Sequence, residues 1–465
     1  MNSKNNSTGA AESCYERCSR ASLTCAPCEK RVPSRSTTPT ASATGAVESG
    51  HVRPLSSIFG TVSVTRLAYR HRGHANLYPA DAQLNLPVER HSHGLRRLGA
   101  IEGARGSFEE ASDAIGRTTG HRVAKRQVEA LTMGAAADVE DFYAQRHTVP
   151  GDESDVVVIS ADGKGIVMRP ECLRPATAAK AKASTTKLKT RLSKGEKRNR
   201  KRLVEVGAVY DVTPAPRQAT DVIGPHNGET PRNPPPAAKN KWLTASVVDD
   251  AKEVIARVFD EAERRDPRHK RRWVALVDGN NHQIERIETE SAARGVEVKI
   301  VIDLVHVLEY LWDAAWCFFA EADPAAEAWV QDRALAVLEG KATQVATGIR
   351  RRATTIGLPR LKRTSADNCA RYLDNKADYL DYPTALTSGW PIATGIIEGA
   401  CRYLVKDRMD LTGARWATDG AEAVLKLRAV RANGDFEPYW RHHLERERQR
   451  IHGSRYANGI IPTAA

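Results

Sequence analysis

Three apolar runs in the middle of the chain are each followed by an aspartate, and they constrain the fold more than any other feature. The runs are "VVVISA", "WVALV" and "VKIVI", and they lead into Asp162, Asp278 and Asp303. Short runs rich in β-branched residues predict buried strands. Because the carboxyl ends of parallel strands meet at one edge of a sheet, we expect Asp162 and Asp278 to lie close together.

Strands and helices alternate after residue 154, which predicts an α/β fold with a mixed sheet and flanking helices. The first strand is expected to stop at Asp162, with Lys164 in a turn between Gly163 and Gly165. A helical insertion is expected at about 309–390. The predicted strands are 155–161, 166–169, 203–211, 273–277 and 296–302, and the predicted helices are 247–265, 281–294, one from 304, and two that contain "IATGIIEGACRYLVKDR" and "AEAVLKLRAVRA".

The chain is basic, with 70 Lys and Arg against 57 Asp and Glu and a net charge of +13. Such a charge favours a polyanionic partner, nucleic acid before membrane surface. Much of the excess lies in a basic loop at 178–203, which is either a solvated loop or a DNA contact. A proline-rich connector is expected at 212–241, because proline does not fit a central strand.

Residues 51–150 are expected to form an N-terminal DNA-binding region. "TVSVTRLAYRHRG" alternates like a strand, and Ser107 with Glu110 forms the capping box of a helix that is expected to break between Gly116 and Gly120. A second, basic helix follows, so that about 107–134 resembles a helix-turn-helix, although an ordinary helical hairpin fits the pattern equally well. The candidate DNA-binding side chains of this second helix are Arg122, Lys125 and Arg126.

The two ends of the chain carry less information. Residues 1–50 are expected to be disordered, and their Cys14, Cys18, Cys25 and Cys28 are irregularly spaced for zinc. Residues 433–465 are expected to form a C-terminal tail. We find no targeting segment and no apolar run of about 18 residues, so a cytoplasmic, nucleoid-associated protein with no membrane partner is expected.

Asp162, Asp278 and Glu398 form the candidate catalytic and metal-binding set. Glu398 lies early in a predicted helix that we expect to cross the strand edge bearing both aspartates. Carboxylates are the ligands that Mg²⁺ or Mn²⁺ prefers, and two such ions support displacement at a phosphodiester. Taken singly, an aspartate before glycine is more commonly a turn or a helix cap.

Four blocks of sequence give this pattern a family resemblance. "SADGKG", "ALVDGNNHQI", "IDLVHVLEYLW" and "IIEGACRYLVKDRMDLTGARW" resemble the core of bacterial insertion-sequence DDE transposases of the Kra-type family and, more distantly, Mutator-like transposases. The likeness covers about 154–432 and implies an RNase H-like catalytic domain. It also implies magnesium-dependent DNA cleavage and strand transfer, with Asp162, Asp278 and Glu398 as the triad.

Neighbouring residues have candidate roles of their own, and the resemblance adds a signature that falls on Asp303 and His306. Asp303 is the rival for the second metal position, and His306 completes a signature with it, as a DNA contact or as a helix cap. Lys164 is either a phosphate contact or a turn residue, and Arg402 either contacts DNA or pairs with Glu398. Trp416 is expected in the core.

The implied partners are the terminal inverted repeats of a transposon and target DNA, bound by a homodimer or a higher oligomer. Two other classes of protein remain open at this point. One is a DNA-binding regulator with a catalytically inactive nuclease-like fold. The other is a packaging protein, which explains the basic charge but not the acidic ends of the strands.

Overall fold

The computed structural model describes residues 46–70, 73–148, 150–183, 200–224, 232–411, 413–456 and 459. The chain divides into two compact units, one formed by residues up to Gln145 together with those from Gly434, and the other by Arg146–Asn433. The four N-terminal cysteines, most of the expected disordered segment, residues 184–199 of the basic loop and 225–231 of the connector lie outside the described residues. Within the described part, every helix is too short or too polar to cross a lipid bilayer.

The first unit begins with an antiparallel hairpin of β1 (Ala46–Ser57) and β2 (Gly60–Arg70). The alternation of residue types in the β2 segment correctly predicted a strand. The expectation of disorder up to residue 50 was wrong for its last five residues. These residues belong to β1. Their hydrogen-bond partners are in β2, and the composition of residues 1–50 alone does not reveal that pairing.

Five helices follow in this unit: α1 (Pro79–Gln83), α2 (His93–Arg105), α3 (Phe108–Thr119), α4 (Lys125–Ala135) and α5 (Val139–Gln145). The capping box of Ser107 and Glu110 is present at the start of α3. The break expected between Gly116 and Gly120 falls at the end of that range, because α3 continues through Gly116 to Thr119 and is terminated by Gly120, whose φ of 73° is left-handed. The next helix begins at Lys125, three residues later than expected. The buried side chains of α2–α4 form one core, consisting of Leu95, Ala111, Ile115, Val123, Val128 and Leu131.

The second unit is built on a five-stranded mixed sheet in the order β5-β4-β3-β6-β7. Pairing is antiparallel between β5 and β4 and between β4 and β3, and parallel from β3 to β6 and from β6 to β7. The protein is therefore of the mixed α/β class. The strands are β3 (Val156–Val167), β4 (Lys201–Val212), β5 (Ala238–Ser246), β6 (Trp273–Val277) and β7 (Val298–Ile302).

The expectation that the first strand stops at Asp162 is wrong. β3 runs on to Val167 and pairs with β4 over its whole length, with Asp162 opposite Val206. Only its parallel pairing with β6 ends earlier, at Ile159. The glycines on both sides of Lys164 do not make a turn, because the extended β4 partner provides backbone hydrogen bonds for the segment. Asp162 thus follows the end of the parallel ladder without ending its strand.

Helices cover both faces of this sheet and continue beyond it. Strand β5 starts at Ala238, inside the expected connector, and α6 and β4 occupy the two ends of the range expected as a basic loop. The helices of this unit are α6 (Pro175–Ala183), α7 (Ala219–Val222), α8 (Ala251–Arg265), α9 (Asn281–Arg294), α10 (Leu304–Ala315), α11 (Pro324–Leu338), α12 (Ala342–Thr355), α13 (Thr364–Asn375), α14 (Tyr382–Thr387), α15 (Gly395–Ala400), α16 (Asp407–Met409) and α17 (Thr418–Ala432), with a π-helix at Cys401–Lys406 between α15 and α16. The first unit is completed by α18 (Phe436–Ile451).

One large apolar core joins the sheet to the helices between β7 and α15. It includes Val158 and Tyr210 from the sheet, Leu311 from α10 and Trp329 from α11, all buried. This burial explains why the run after residue 304 forms helices that pack, and it fixes β6 and β7 beneath α10. Trp416 is also buried and donates its indole N–H to the carbonyl of Met409 at 2.9 Å, so its expected place in the core is confirmed.

Candidate active site

The strand register brings the two predicted aspartates level with each other. In the parallel ladder of β3 and β6, Ile159 pairs with Ala275. Asp162 and Asp278 each lie three residues beyond that pair. Because neighbouring strands are about 4.8 Å apart, this register continued past its last pair would bring the two residues to the same end of the ladder. Both side chains are partly exposed.

Glu398 belongs to a helix that hydrogen bonds fasten at both ends. Thr394, which precedes α15, donates its hydroxyl to Oδ2 of Asp303 at 2.6 Å and its backbone N–H to Oδ1 at 3.2 Å. One turn after Glu398, the thiol of Cys401 lies 3.2 Å from Oδ2 of Asp162. Residues three apart share a helix face. The exposed Glu398 therefore lies on α15 between two anchored points, one at the carboxyl end of β7 and one in the middle of β3.

The helix that carries Glu398 changes geometry directly after it. A π-helix spans Cys401–Lys406, and such segments are rare and occur often at functional sites. The π-helical turn begins at the residue that contacts Asp162. A local expansion of the helix thus coincides with the contact between this helix and β3.

Asp303 is fully buried and its oxygen atoms are engaged by protein donors. Oδ1 accepts the backbone N–H of Val305 at 3.0 Å, which caps α10, and both oxygens accept from Thr394. Burial by itself raises the pKa of Asp303, but neighbouring His306 and these hydrogen bonds hold it below its usual range. The residue is therefore an ionised carboxylate that joins β7 to the start of α15.

His306 lies beside two of these carboxylates. Its Nδ1 is 3.7 Å from Oδ2 of Asp303, an ion pair rather than a hydrogen bond. The adjacent Asp303 raises the pKa of His306 to about 9, against the opposing effect of burial, and Asp278 adds to the rise. The imidazole is thus protonated at neutral pH, and it is partly exposed.

A fourth carboxylate, Glu205 of β4, lies near Asp162 and was not predicted. It is 8% exposed. Burial, together with the smaller effect of the negative charge of Asp162, raises the pKa of Glu205 to about 7. An acid in the apolar run "LVEVGAVYDV" was the available sequence signal. The nearness of Asp162 thus disfavours the charged form of Glu205.

The carboxylates of the predicted set are not in mutual contact. Among the described residues, Asp162, Asp278 and Glu398 do not form a group whose ligand oxygens all lie within 4.8 Å of one another. Two neighbours of this set are strongly exposed. Lys164 projects from β3, and Arg402 is 78% exposed with its Nε 4.0 Å from Oδ1 of Asp407. Among the described residues, the ion-pair partner of Arg402 is therefore Asp407 rather than Glu398.

The remaining predicted DNA-binding residues lie in the first unit. Arg122 precedes α4 and pairs with Asp113 at 3.0 Å. Lys125 begins α4 and pairs with Glu109 at 3.2 Å. Arg126 is exposed on α4. All three side chains reach solvent, and two of them have their charge balanced by acids of α3.

Comparison with known proteins adds no relative. No family model matches the chain, and no curated protein matches it.

Proposed function

We propose that the protein is a DDE transposase with an RNase H-like catalytic domain. The observation that carries this proposal is that Asp162 and Asp278 each follow the last pair of the parallel β3–β6 ladder by three residues. The hydrogen bonds that hold the Glu398 helix against β3 and the end of β7 add to it. The five-stranded mixed sheet is compatible with the implied fold.

The donor set suits magnesium or manganese. It consists of carboxylates, with neither imidazole nor thiolate in the predicted triad, and Glu205 is a further carboxyl group near Asp162. Two ions about 3.5–4 Å apart divide their ligands between them. Three carboxylates of a two-ion site therefore need not all lie within 4.8 Å of one another. Asp278 is preferred to Asp303 as a ligand, because protein donors already engage the oxygens of Asp303.

The residues of the site then have distinct roles. Asp162, Asp278 and Glu398 would hold two divalent ions, which supply activation of the attacking oxygen and stabilise the leaving oxygen during phosphodiester displacement. The attacking group is water in strand cleavage and a DNA 3′-hydroxyl in strand transfer. Protonated His306 and exposed Lys164 and Arg402 place positive charge beside this edge for DNA phosphates.

The first unit would bind the transposon ends. The helices α3 and α4 pack on a common core around the turn at Gly120, as in a helix-turn-helix, and α4 presents exposed Arg126. An ordinary helical hairpin would share that core. Joining of two ends implies at least a dimer, and the substrate implies a cytoplasmic location at the nucleoid.

The experiment that tests this function measures magnesium-dependent nicking and end joining. The substrate is a plasmid that carries the DNA flanking the coding region. We expect activity in the full-length protein, loss with EDTA, and loss to background in Asp162→Asn, Asp278→Asn and Glu398→Gln with end binding retained. Glu285→Gln, an exposed acid on α9, is the matched control and should keep full activity. End binding without any cleavage by the unchanged protein would instead identify a DNA-binding regulator.

A further inference from the structure

A polar pocket borders the loop that carries Asp278. Its volume is about 290 Å³, and its wall includes Asn281, Asn368, Arg371, Asn375 and Lys376 together with the stacked pair of Tyr310 and Tyr372. The hydroxyl of Tyr372 donates to the backbone carbonyl of Asp278 at 3.2 Å. The pocket is therefore fixed directly against the candidate catalytic loop.

The charge of the pocket wall is positive. It contains two cations, Arg371 and Lys376, and no carboxylate. Each cation donates to an amide oxygen, Arg371 to Asn368 at 2.5 Å and Lys376 to Asn281. Lys376 is only 7% exposed. The negative charge of Asp278 acts on Lys376 from outside the pocket wall, and within the wall this buried ammonium has no carboxylate and favours an incoming anion.

The helix that starts at this pocket adds to the positive electrostatic potential of the pocket. Asn281 is the first residue of α9, which is 14 residues long, so the positive end of the helix dipole lies in this region. Asn368, Arg371 and Asn375 recur along one side of α13. Donors from two helices thus converge on one cavity.

We propose that this pocket binds a phosphodiester group of the DNA strand that enters the Asp278 side of the site, an inference that rests on the proposed function. Its volume lies just below the range of about 300–1,000 Å³ that encloses whole small ligands. The pocket therefore accommodates one phosphodiester group of a longer DNA strand. Arg371 and Lys376 are the anion-binding residues, and the tyrosine pair forms the wall that separates them from the core of the insertion.

The test compares DNA binding by full-length Arg371→Gln and Arg351→Gln. Both variants remove one exposed arginine, but Arg351 lies on α12 outside the pocket wall. The probe is a short fluorescein-labelled DNA fragment in EDTA, titrated at several salt concentrations. We expect Arg371→Gln to bind about three- to tenfold more weakly, with a salt slope smaller by about one, and Arg351→Gln to change less. Equal effects of the two variants, or unchanged binding by Arg371→Gln, would overturn the inference.

Two further readouts separate this inference from its premises. A melting curve with inorganic phosphate identifies the source of the anion. If phosphate stabilises the unchanged protein but not Arg371→Gln while both bind DNA alike, the pocket serves free phosphate and the strand assignment is wrong. If the unchanged protein cleaves DNA but Arg371→Gln binds DNA normally, the pocket proposal is wrong and the transposase proposal stands. Weakened binding by Arg371→Gln in a protein that never cleaves supports the pocket and rejects the transposase.

Discussion

The hydroxyl of Thr394 donates a 2.6 Å hydrogen bond to Oδ2 of Asp303, and both side chains are buried. Asp303 caps α10 at the end of β7, and Thr394 immediately precedes the helix of Glu398. This contact therefore relates the sheet edge to the third candidate catalytic residue across 91 residues of sequence. It gives Asp303 a structural role beside any chemical one.

Thr394→Val should disturb Glu398 more than the fold. The valine keeps the shape of threonine but leaves a buried carboxylate oxygen without one donor, which lowers the free energy of unfolding by about 1–3 kcal/mol. Misplacement of Glu398 should reduce magnesium-dependent cleavage by about tenfold or more. Urea unfolding and plasmid cleavage measure the two effects. Thr394→Ser retains the hydroxyl and should behave like the unchanged protein, and equal cleavage by the valine and serine variants would contradict this role.

The thiol of Cys401 should influence how tightly Asp162 holds magnesium. Burial raises the pKa of Cys401, as does the adjacent Asp162, so the group remains a protonated donor to Oδ2. Residues that orient a metal ligand commonly contribute about 10–100-fold to metal affinity. We expect Cys401→Val to need correspondingly more magnesium for half-maximal cleavage, whereas Cys401→Ser keeps a hydrogen-bond donor. An unchanged magnesium requirement in the valine variant would rule this out.

The ion pair of His306 and Asp303 should give stability that disappears in alkali. The folded-state pKa of His306 is about 9, above its ordinary 6.5. The contribution is therefore complete below pH 6.5 and is lost as the pH rises through about 9. Because the side chain is partly exposed, we expect only about 1 kcal/mol after allowance for solvent screening. Unfolding in EDTA at several pH values should show the His306→Gln variant approaching the unchanged protein near pH 10, and a constant difference would contradict the ion pair.

The elements with a strong local signal were predictable from sequence. The apolar run 273–277 and the helix 281–294, bounded by Asn280 and Gly295, match β6 and α9 of the structure. Their limits are set within the segments themselves, by complete burial and by helix caps. By contrast, β5 alternates poorly in burial, and its pairing with β4 depends on residues far away in sequence. Local patterns do not contain that information.

The candidate site also has a part that could be predicted from sequence and a part that could not. The order Asp162, Asp278 and Glu398 could be proposed from motif and spacing, and its catalytic role stays a prediction. The nearness of Glu205 and Cys401 to Asp162 could not be foreseen, because it follows from strand register and helix packing. The pocket beside Asp278 needs α13 to fold back on the strand edge, which no periodic pattern in the chain indicates.

Gly279 should tolerate no side chain, because two independent restraints act on it. Its φ of +92° is unfavourable for other residues, and a Cβ there would lie 2.9 Å from the hydroxyl of Tyr372 and 3.2 Å from Cδ1 of Ile302. Gly295→Ala is a control within the same unit, since Gly295 also has a positive φ of +64° but open space around it. We expect both variants to lose about 1 kcal/mol or more of unfolding free energy through backbone strain. Only Gly279→Ala should also displace Tyr372, break its hydrogen bond to Asp278 and abolish cleavage, and similar cleavage by the two alanine variants would show that this close approach does not position Asp278.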